Sequence, residues 1–306
     1  MRILSLDGGG VRGYYSALLL ARLEEARPGF LDGFDLFAGT STGSIIALGL
    51  AMGLPAGEVA DMYGRKAPRI FEVTWGERLR DVNGLIGPRY SASRFAAVLR
   101  NVFADRRLGD LERHVLVPAF RLDDGNEAGP RRWRPVLFHN LPGTAGRPRL
   151  LLRRVALYSS TVPAIFAPTE GYVDGGVFAA NPALCAALVT LDERHTFARP
   201  GLEQLQLLSI GTGLAALHIG SEVREWGLAQ WARPLLGMML DGGVEMVDYQ
   251  CRLLFQERYH RLNPRIGGDP IQLDNVDSFE RLAQAAAAAD LQGTLAWLDR
   301  GTNSAK

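Results

Sequence analysis

Ser41 stands in Gly39-Thr40-Ser41-Thr42-Gly43, a G-x-S-x-G pattern whose glycines leave room for a sharp turn with the serine hydroxyl exposed. A serine held there, at the start of a helix, is suited to attack an acyl carbonyl. The free amides and the dipole of a helix N-terminus favour negative charge developing beside it. The plain alternative is a glycine–serine turn that caps a helix. A second cluster, Asp7-Gly8-Gly9-Gly10-Val11-Arg12-Gly13, matches G-x-G-x-x-G, the form of a dinucleotide-binding turn. That reading asks for an acidic residue about 20 positions on, at the end of the next strand. The next strand runs into Ser41 instead. Successive amides of Gly8, Gly9 and Gly10 beside a nucleophilic serine are what an oxyanion hole requires. Arg12 adds positive charge there or anchors the loop.

A serine nucleophile needs a base, and the chain has five histidines. His114 and His139 adjoin expected strands, and His195 follows a charged helix end. His218 lies beyond the Gly211-Thr212-Gly213 turn, and His260 sits in Arg258-Tyr259-His260-Arg261. None has the loop context of a triad base. Tyr172-Val173-Asp174-Gly175-Gly176 offers a carboxylate instead, on a glycine turn after a short apolar strand, where catalytic groups gather in α/β proteins. Taken alone, this segment reads as an ordinary Asp-Gly turn.

The elements that must position these residues alternate in type. Ile3 to Leu6 reads as a short buried strand, Tyr14 to Ala26 as an amphipathic helix, Phe34 to Ala38 as a second strand, and Thr42 to Met52 as a nearly apolar, buried helix. Strand–helix–strand–helix with tight glycine turns implies an α/β fold with a mainly parallel sheet and helices on both faces. The two glycine turns then emerge side by side at the carboxyl ends of adjacent strands. Further on, Ser91 and Ser93 are candidate caps for a helix running to Phe103. His114–Leu122 and Arg134–His139 are expected as strands flanking a hairpin-like turn, and Gln204–Ile210 as another strand. The C-terminal part, about 222–306, reads as helical, including an alanine-rich helix around Ala283–Ala289. No internal repeat or linker divides the 306 residues, so one domain is expected.

Composition narrows the classes. A formal charge of +1 argues against a global electrostatic design for a nucleic-acid polymer or a membrane. Two cysteines, Cys185 and Cys251, form neither a disulfide framework nor a zinc site in a chain this long, and buried, reduced thiols are expected. The first residues are too short an apolar run for a signal peptide, and Ser44–Leu54 falls well short of the roughly 20 residues a membrane span needs. A cytoplasmic protein is the expectation, peripheral at the inner membrane face if it works on lipid.

Taken together, the Asp7–Gly13, Gly39–Gly43 and Asp174-Gly175-Gly176 motifs resemble the patatin-like phospholipase family in kind and in chain order. Ser159-Ser160-Thr161-Val162-Pro163-Ala164-Ile165-Phe166 and Asn181-Pro182 are similar to further family segments, so the match runs from residue 1 to about 215. The resemblance implies a three-layer patatin-like fold, a Ser41–Asp174 dyad without histidine, and an oxyanion held by amides of the Gly8–Gly10 loop and of Thr42. It also implies cleavage of fatty acyl esters of phospholipids through an acyl-enzyme, with neither a metal nor an organic cofactor. Partial burial is then expected to raise the Asp174 pKa, since an ordinary carboxylate is a poor base. Apolar stretches around Ile45–Leu54 and Leu235–Leu240 are candidate walls of an acyl pocket, and Arg131-Arg132-Trp133-Arg134 a candidate lipid-facing cluster. Arg131–Gly143 and Arg258–Pro264 resemble the bacterial patatin-like effectors of antiviral defence, some of which a cyclic dinucleotide activates. The competing reading is a catalytically idle lipid- or nucleotide-binding signalling module.

Overall fold

The computed structural model describes residues 1–71, 87–127, 129–143, 147–194, 201–214, 219–220 and 225–303. The amino-terminal half follows the expected alternation. Strand β1 (Arg2–Leu6) leads through the first glycine turn into helix α1 (Gly13–Ala26), and β2 (Leu36–Gly39) leads through Ser41 into α2 (Thr42–Ala51). Helix α3 (Ala56–Ile70) follows, then α4 (Ala92–Phe103), whose first turn is capped by the Ser91 hydroxyl accepting from the Arg94 amide. Strands β3 (His114–Arg121) and β4 (Arg134–His139) pair antiparallel, and α5 (Leu152–Ser160) precedes the three-residue strand β5 (Tyr172–Asp174). Two short helices, α6 (Gly176–Ala179) and α7 (Ala183–Val189), lead to β6 (Gln206–Ile210).

Seven strands form one sheet in the order β4-β3-β2-β1-β6 and then β7 (Tyr259–Leu262), with β5 on the β3 edge beyond β2. The central pairs are all parallel, and β4 and β5 are antiparallel. The period of two along each strand sends side chains into two cores. Leu4, Leu6, Phe37, Val115 and Val117 pack with α1 to α5 and the late helices α9 (Phe279–Ala288) and α10 (Gln292–Asn303). Ile3, Leu36, Ala38, Leu116 and Leu207 pack on the other face with α7 and the long helix α8 (Leu228–Phe255). Helix α2 is buried along its whole length, which explains why its sequence is apolar all round.

The carboxy-terminal part is mainly helical but contains one strand that its sequence does not announce: β7 adds an edge strand beside β6. Its four residues, Tyr-His-Arg-Leu, show no long apolar run, and what holds the strand is a buried ion pair. Arg261 reaches across β6 to Asp7 at the head of the first glycine turn, with Nη1–Oδ1 at 3.0 Å and Nη2–Oδ2 at 2.5 Å, while Nη1 also donates to Ser209 Oγ at 2.7 Å. Both side chains are within a few per cent of complete burial. Removing one partner strands the other's charge in the core. Arg261→Met is therefore expected to destabilise the fold by about 3–5 kcal/mol, read from urea unfolding; an unchanged midpoint would refute the pair's role.

Candidate active site

Ser41 owes its place to how β2 and β5 use one edge of β3. Strand β2 runs parallel to β3 and its pairing stops at Ala38 opposite Leu116, while β5 runs antiparallel and stops at Asp174 opposite Ala119. The two carboxyl ends therefore point at each other across the short gap between those pairings, where Pro118 lies. Ser41 occupies φ 53°, ψ −124°, a strained conformation for a non-glycine residue and the one expected of the elbow. The turn is held by close contacts that only glycine allows: a Cβ at Gly43 would sit 2.3 Å from the Leu6 carbonyl oxygen, and one at Gly13 would overlap the Thr42 hydroxyl.

The end of α5 clamps both sides of the gap. Ser159 Oγ donates to the Pro118 carbonyl at 2.6 Å and accepts the Ser41 amide at 2.9 Å. The Thr161 and Ser159 carbonyls accept the amides of Asp174 and Gly175. Asp174 is almost wholly buried, its Oδ1 accepting the Gly176 amide at 2.6 Å and its Oδ2 without a partner in hydrogen-bond geometry. Burial pushes its pKa from the ordinary 3.8 up to about 7, against smaller downward pulls from the Ser41 hydroxyl and the Gly176 amide. Ser41 and Asp174 thus face one cavity, close enough for the hydroxyl to act on the carboxylate. Catalytic hydrogen bonds in an empty site commonly tighten only when substrate binds.

The first glycine turn lies directly against this pair, and Gly8, Gly9 and Gly10 all border the cavity. One expected donor is corrected: the Gly8 amide is committed to the Ala180 carbonyl at 2.8 Å. The amides of Gly9, Gly10 and Thr42 have no partner among the described residues. Arg12 faces away from Ser41. Its amide returns to the Gly9 carbonyl, and its guanidinium borders a different, polar cavity, 4.0 Å from Asp241, so it braces the loop from behind. Tyr63 of α3 joins the two turns: its hydroxyl donates to the Gly10 carbonyl at 2.7 Å and accepts from the Thr42 hydroxyl at 2.5 Å. Nothing in the local sequence marks Tyr63, whereas Ser159 and Arg261 lie inside stretches already singled out by resemblance. Asn263, in the second of those stretches, accepts the Gly213 amide at 2.8 Å.

Two cavities meet at Ser41. One, of about 330 Å³, is bounded by the glycine turn, Asp174, Val162, Val177 and, from α8, Leu236 and Leu240. The other, of about 390 Å³, is lined by Ile45, Tyr63, Ile70, Phe71, Phe95, Ile165 and Phe166. Of the Ile45–Leu54 stretch, Ile45 borders the second of these cavities, while Ile46, Leu48 and Leu50 are packed in the core. Of the histidines, none among the described residues borders either cavity. His260 is bound to Thr294 Oγ1 at 2.9 Å and stacked on Trp297, and His195 and His218 lie outside the described residues. In the β3–β4 loop Arg131 and Arg132 pair with Asp123 and Asp124, and the whole Arg131–Arg134 cluster, Trp133 included, is exposed. Cys251 is buried as expected and Cys185 is half-buried; neither is bonded to the other. No helix among the described residues is long and apolar enough to cross a membrane.

A family model described as patatin-like phospholipase matches residues 4–187, which contain both turns and Asp174. CotR of Bacillus subtilis is 31% identical over 87% of this chain and 87% of its own length. A cGAMP-activated phospholipase of Pseudomonas aeruginosa is 29% identical over 99% of this chain and 87% of that protein. One of the same name from Escherichia coli is 32% identical over 69% of this chain and 62% of that protein.

The raised Asp174 pKa makes a stability prediction with a definite sign. The folded carboxyl holds its proton more tightly than the unfolded one, so the wild type loses stability as pH rises from about 4 to about 7. Asp174→Asn lacks that titration. Relative to wild type it is expected to gain about 2–3 kcal/mol between pH 5 and pH 7, measured by urea unfolding. A constant difference between the two proteins across that range would mean that the carboxyl titrates normally.

Proposed function

The chain belongs to the patatin-like phospholipase family, and from that premise we propose that it hydrolyses fatty acyl esters of phospholipids through Ser41 and Asp174. The observation that carries the reading is the meeting of a strained serine and a buried, high-pKa carboxyl beside three amides that have no partner among the described residues. Ser41 Oγ attacks the acyl carbonyl and passes its proton to Asp174. The oxyanion is held by the amides of Gly9, Gly10 and Thr42. Collapse expels the lysophospholipid alkoxide, which takes the proton back from Asp174. Water then attacks the acyl-enzyme and gives a proton to Asp174; collapse expels the Ser41 alkoxide, which takes that proton back, and the fatty acid is released. The apolar cavity of Ile45, Phe71, Phe95 and Phe166 suits the acyl chain, and the cavity walled by Leu236 and Leu240 suits the remainder of the lipid.

Ser41 and Asp174 are only 5% and 3% exposed, so a lipid reaches them through the two cavities that meet at Ser41. Relatives named cGAMP-activated phospholipases support an activator of the cyclic-dinucleotide class for this chain as well, and with it a part in antiviral defence. The proposed place of action is the cytoplasm, at the inner face of the membrane.

A fluorophosphonate probe is expected to label wild type at Ser41 and to leave Ser41→Ala unlabelled. Fatty acid release from phospholipid vesicles is expected to fall by about 10³-fold or more in Ser41→Ala and in Asp174→Asn. Labelling elsewhere, or a Ser41→Ala variant with full activity, refutes the dyad. Wild-type kcat/KM is expected to rise with pH to a plateau above about 7, about tenfold per unit on the acid side. A rate that stays constant across a panel of cyclic dinucleotides removes the activator and leaves the dyad standing.

A further inference from the structure

Helix α8 has two apolar faces, and among the described residues only one of them is covered. Inward, Leu236 and Leu240 wall the Ser41 cavity, and Cys251 and Phe255 are buried in the second core. Outward, Leu235, Met239, Gly242, Met246, Tyr249 and Leu253 recur at alternating steps of four and three residues. At 100° per residue they fall within roughly 80° of arc. The five side chains in this stripe are between 46% and 60% exposed. Alternation of this kind is the seam along which one helix packs on another. A monomer of this kind gains nothing from leaving such a stripe in water.

The glycines sharpen the point. Gly242 and its neighbour Gly243 stand mid-helix, where each costs about 1 kcal/mol relative to alanine. A Cβ at either would meet nothing in this chain. Within the monomer the space they leave has no use; a second helix laid against the stripe would fill it.

We propose that this face pairs with the same face of a second copy, with the two α8 helices antiparallel about a two-fold axis between residues 247 and 248. In that register Met246 of one copy meets Tyr249 of the other, and Leu253 fills the space over Gly242. The flank of the seam then brings Glu245 of one copy opposite Arg252 of the other, twice by symmetry. Glu245 has no ion partner among the described residues, and Arg252 uses its Nε on Asp248, at 3.0 Å, which leaves its terminal nitrogens available. The same flank carries Asp241, Glu245 and Asp248, a sign of charge that disfavours an anionic lipid surface as the occupant. Because Leu236 and Leu240 are on the opposite side of the same helix, pairing would also fix one wall of the Ser41 cavity.

Sedimentation of the full chain at micromolar concentration tests this. Wild type is expected at twice the chain mass, and Glu245→Arg, which sets two arginines opposite each other, at the monomer mass. Combining Glu245→Arg with Arg252→Glu is expected to restore the dimer, a rescue that a misfolded variant cannot show. A wild type that stays monomeric overturns the proposal, as does a dimer indifferent to Glu245→Arg. A monomer that binds phosphatidylcholine vesicles and loses that binding in Met246→Glu assigns the stripe to lipid instead, and equally overturns it.

Discussion

The site depends on a constraint of the sheet: two strands share one edge of β3 and run toward each other. Strand β2 brings Ser41 from one side and β5 brings Asp174 from the other, with Pro118 in the gap. Their approach is fixed by ladders and not by the two side chains themselves. The backbone therefore imposes the strained conformation of Ser41, and the hydroxyl need not be held by a strong bond to the carboxylate. Ser159 closes the arrangement, because one hydroxyl bridges the Pro118 carbonyl and the Ser41 amide. A buried serine with both hydrogen-bonding capacities used is a rigid spacer, and rigidity at this point is what the geometry needs.

The second constraint is electrostatic. The glycine turn that carries the unpartnered amides begins at Asp7, and Asp7 is tied to Arg261 from the far edge of the sheet. A loop of three consecutive glycines has high conformational freedom in the unfolded chain, and its single folded geometry has to be imposed from outside. Five contacts supply that: Arg261 at the start, the Ala180 carbonyl on Gly8, the Leu273 carbonyl on Val11, Tyr63 on Gly10, and the Thr42 hydroxyl against Gly13. Two of these come from residues beyond 215, so the late part of the chain shapes the turn at its beginning.

These constraints explain what was legible in the sequence. The strand–turn–helix units were readable because period and glycine punctuation are local, and the ranges Arg2–Leu6, Gly13–Ala26 and Thr42–Ala51 differ from expectation by a residue or two. The motifs at Gly8–Gly13 and Gly39–Gly43 were readable for the same reason, whereas Asp174-Gly175-Gly176 reads locally as an ordinary turn and stood out only through its resemblance to the family pattern. Strand β7 was not, because Tyr-His-Arg-Leu becomes a strand only by pairing with β6 and burying Arg261 on a residue 254 positions away. Tyr63 was not, because its role depends on two turns meeting in space. The commitment of the Gly8 amide was hidden too, since its acceptor at Ala180 lies on the far side of the Asp174 turn.

Burial of Asp174 ties the proposed chemistry to the shape of the cavity. A carboxylate near its ordinary pKa accepts a proton from a serine hydroxyl poorly. Raising that pKa from 3.8 to about 7 improves its driving force as a base by about 4 kcal/mol. The rise comes chiefly from desolvation, so it lasts only while water is kept away. The same dryness strengthens the pull of the Gly9, Gly10 and Thr42 amides on an oxyanion. An aspartate serving without histidine therefore needs a dry setting, and Asp174, only 3% exposed, has one. Leu236 and Leu240 of α8 form part of the wall that keeps the carboxyl dry, so the seating of that helix bears on the strength of the base.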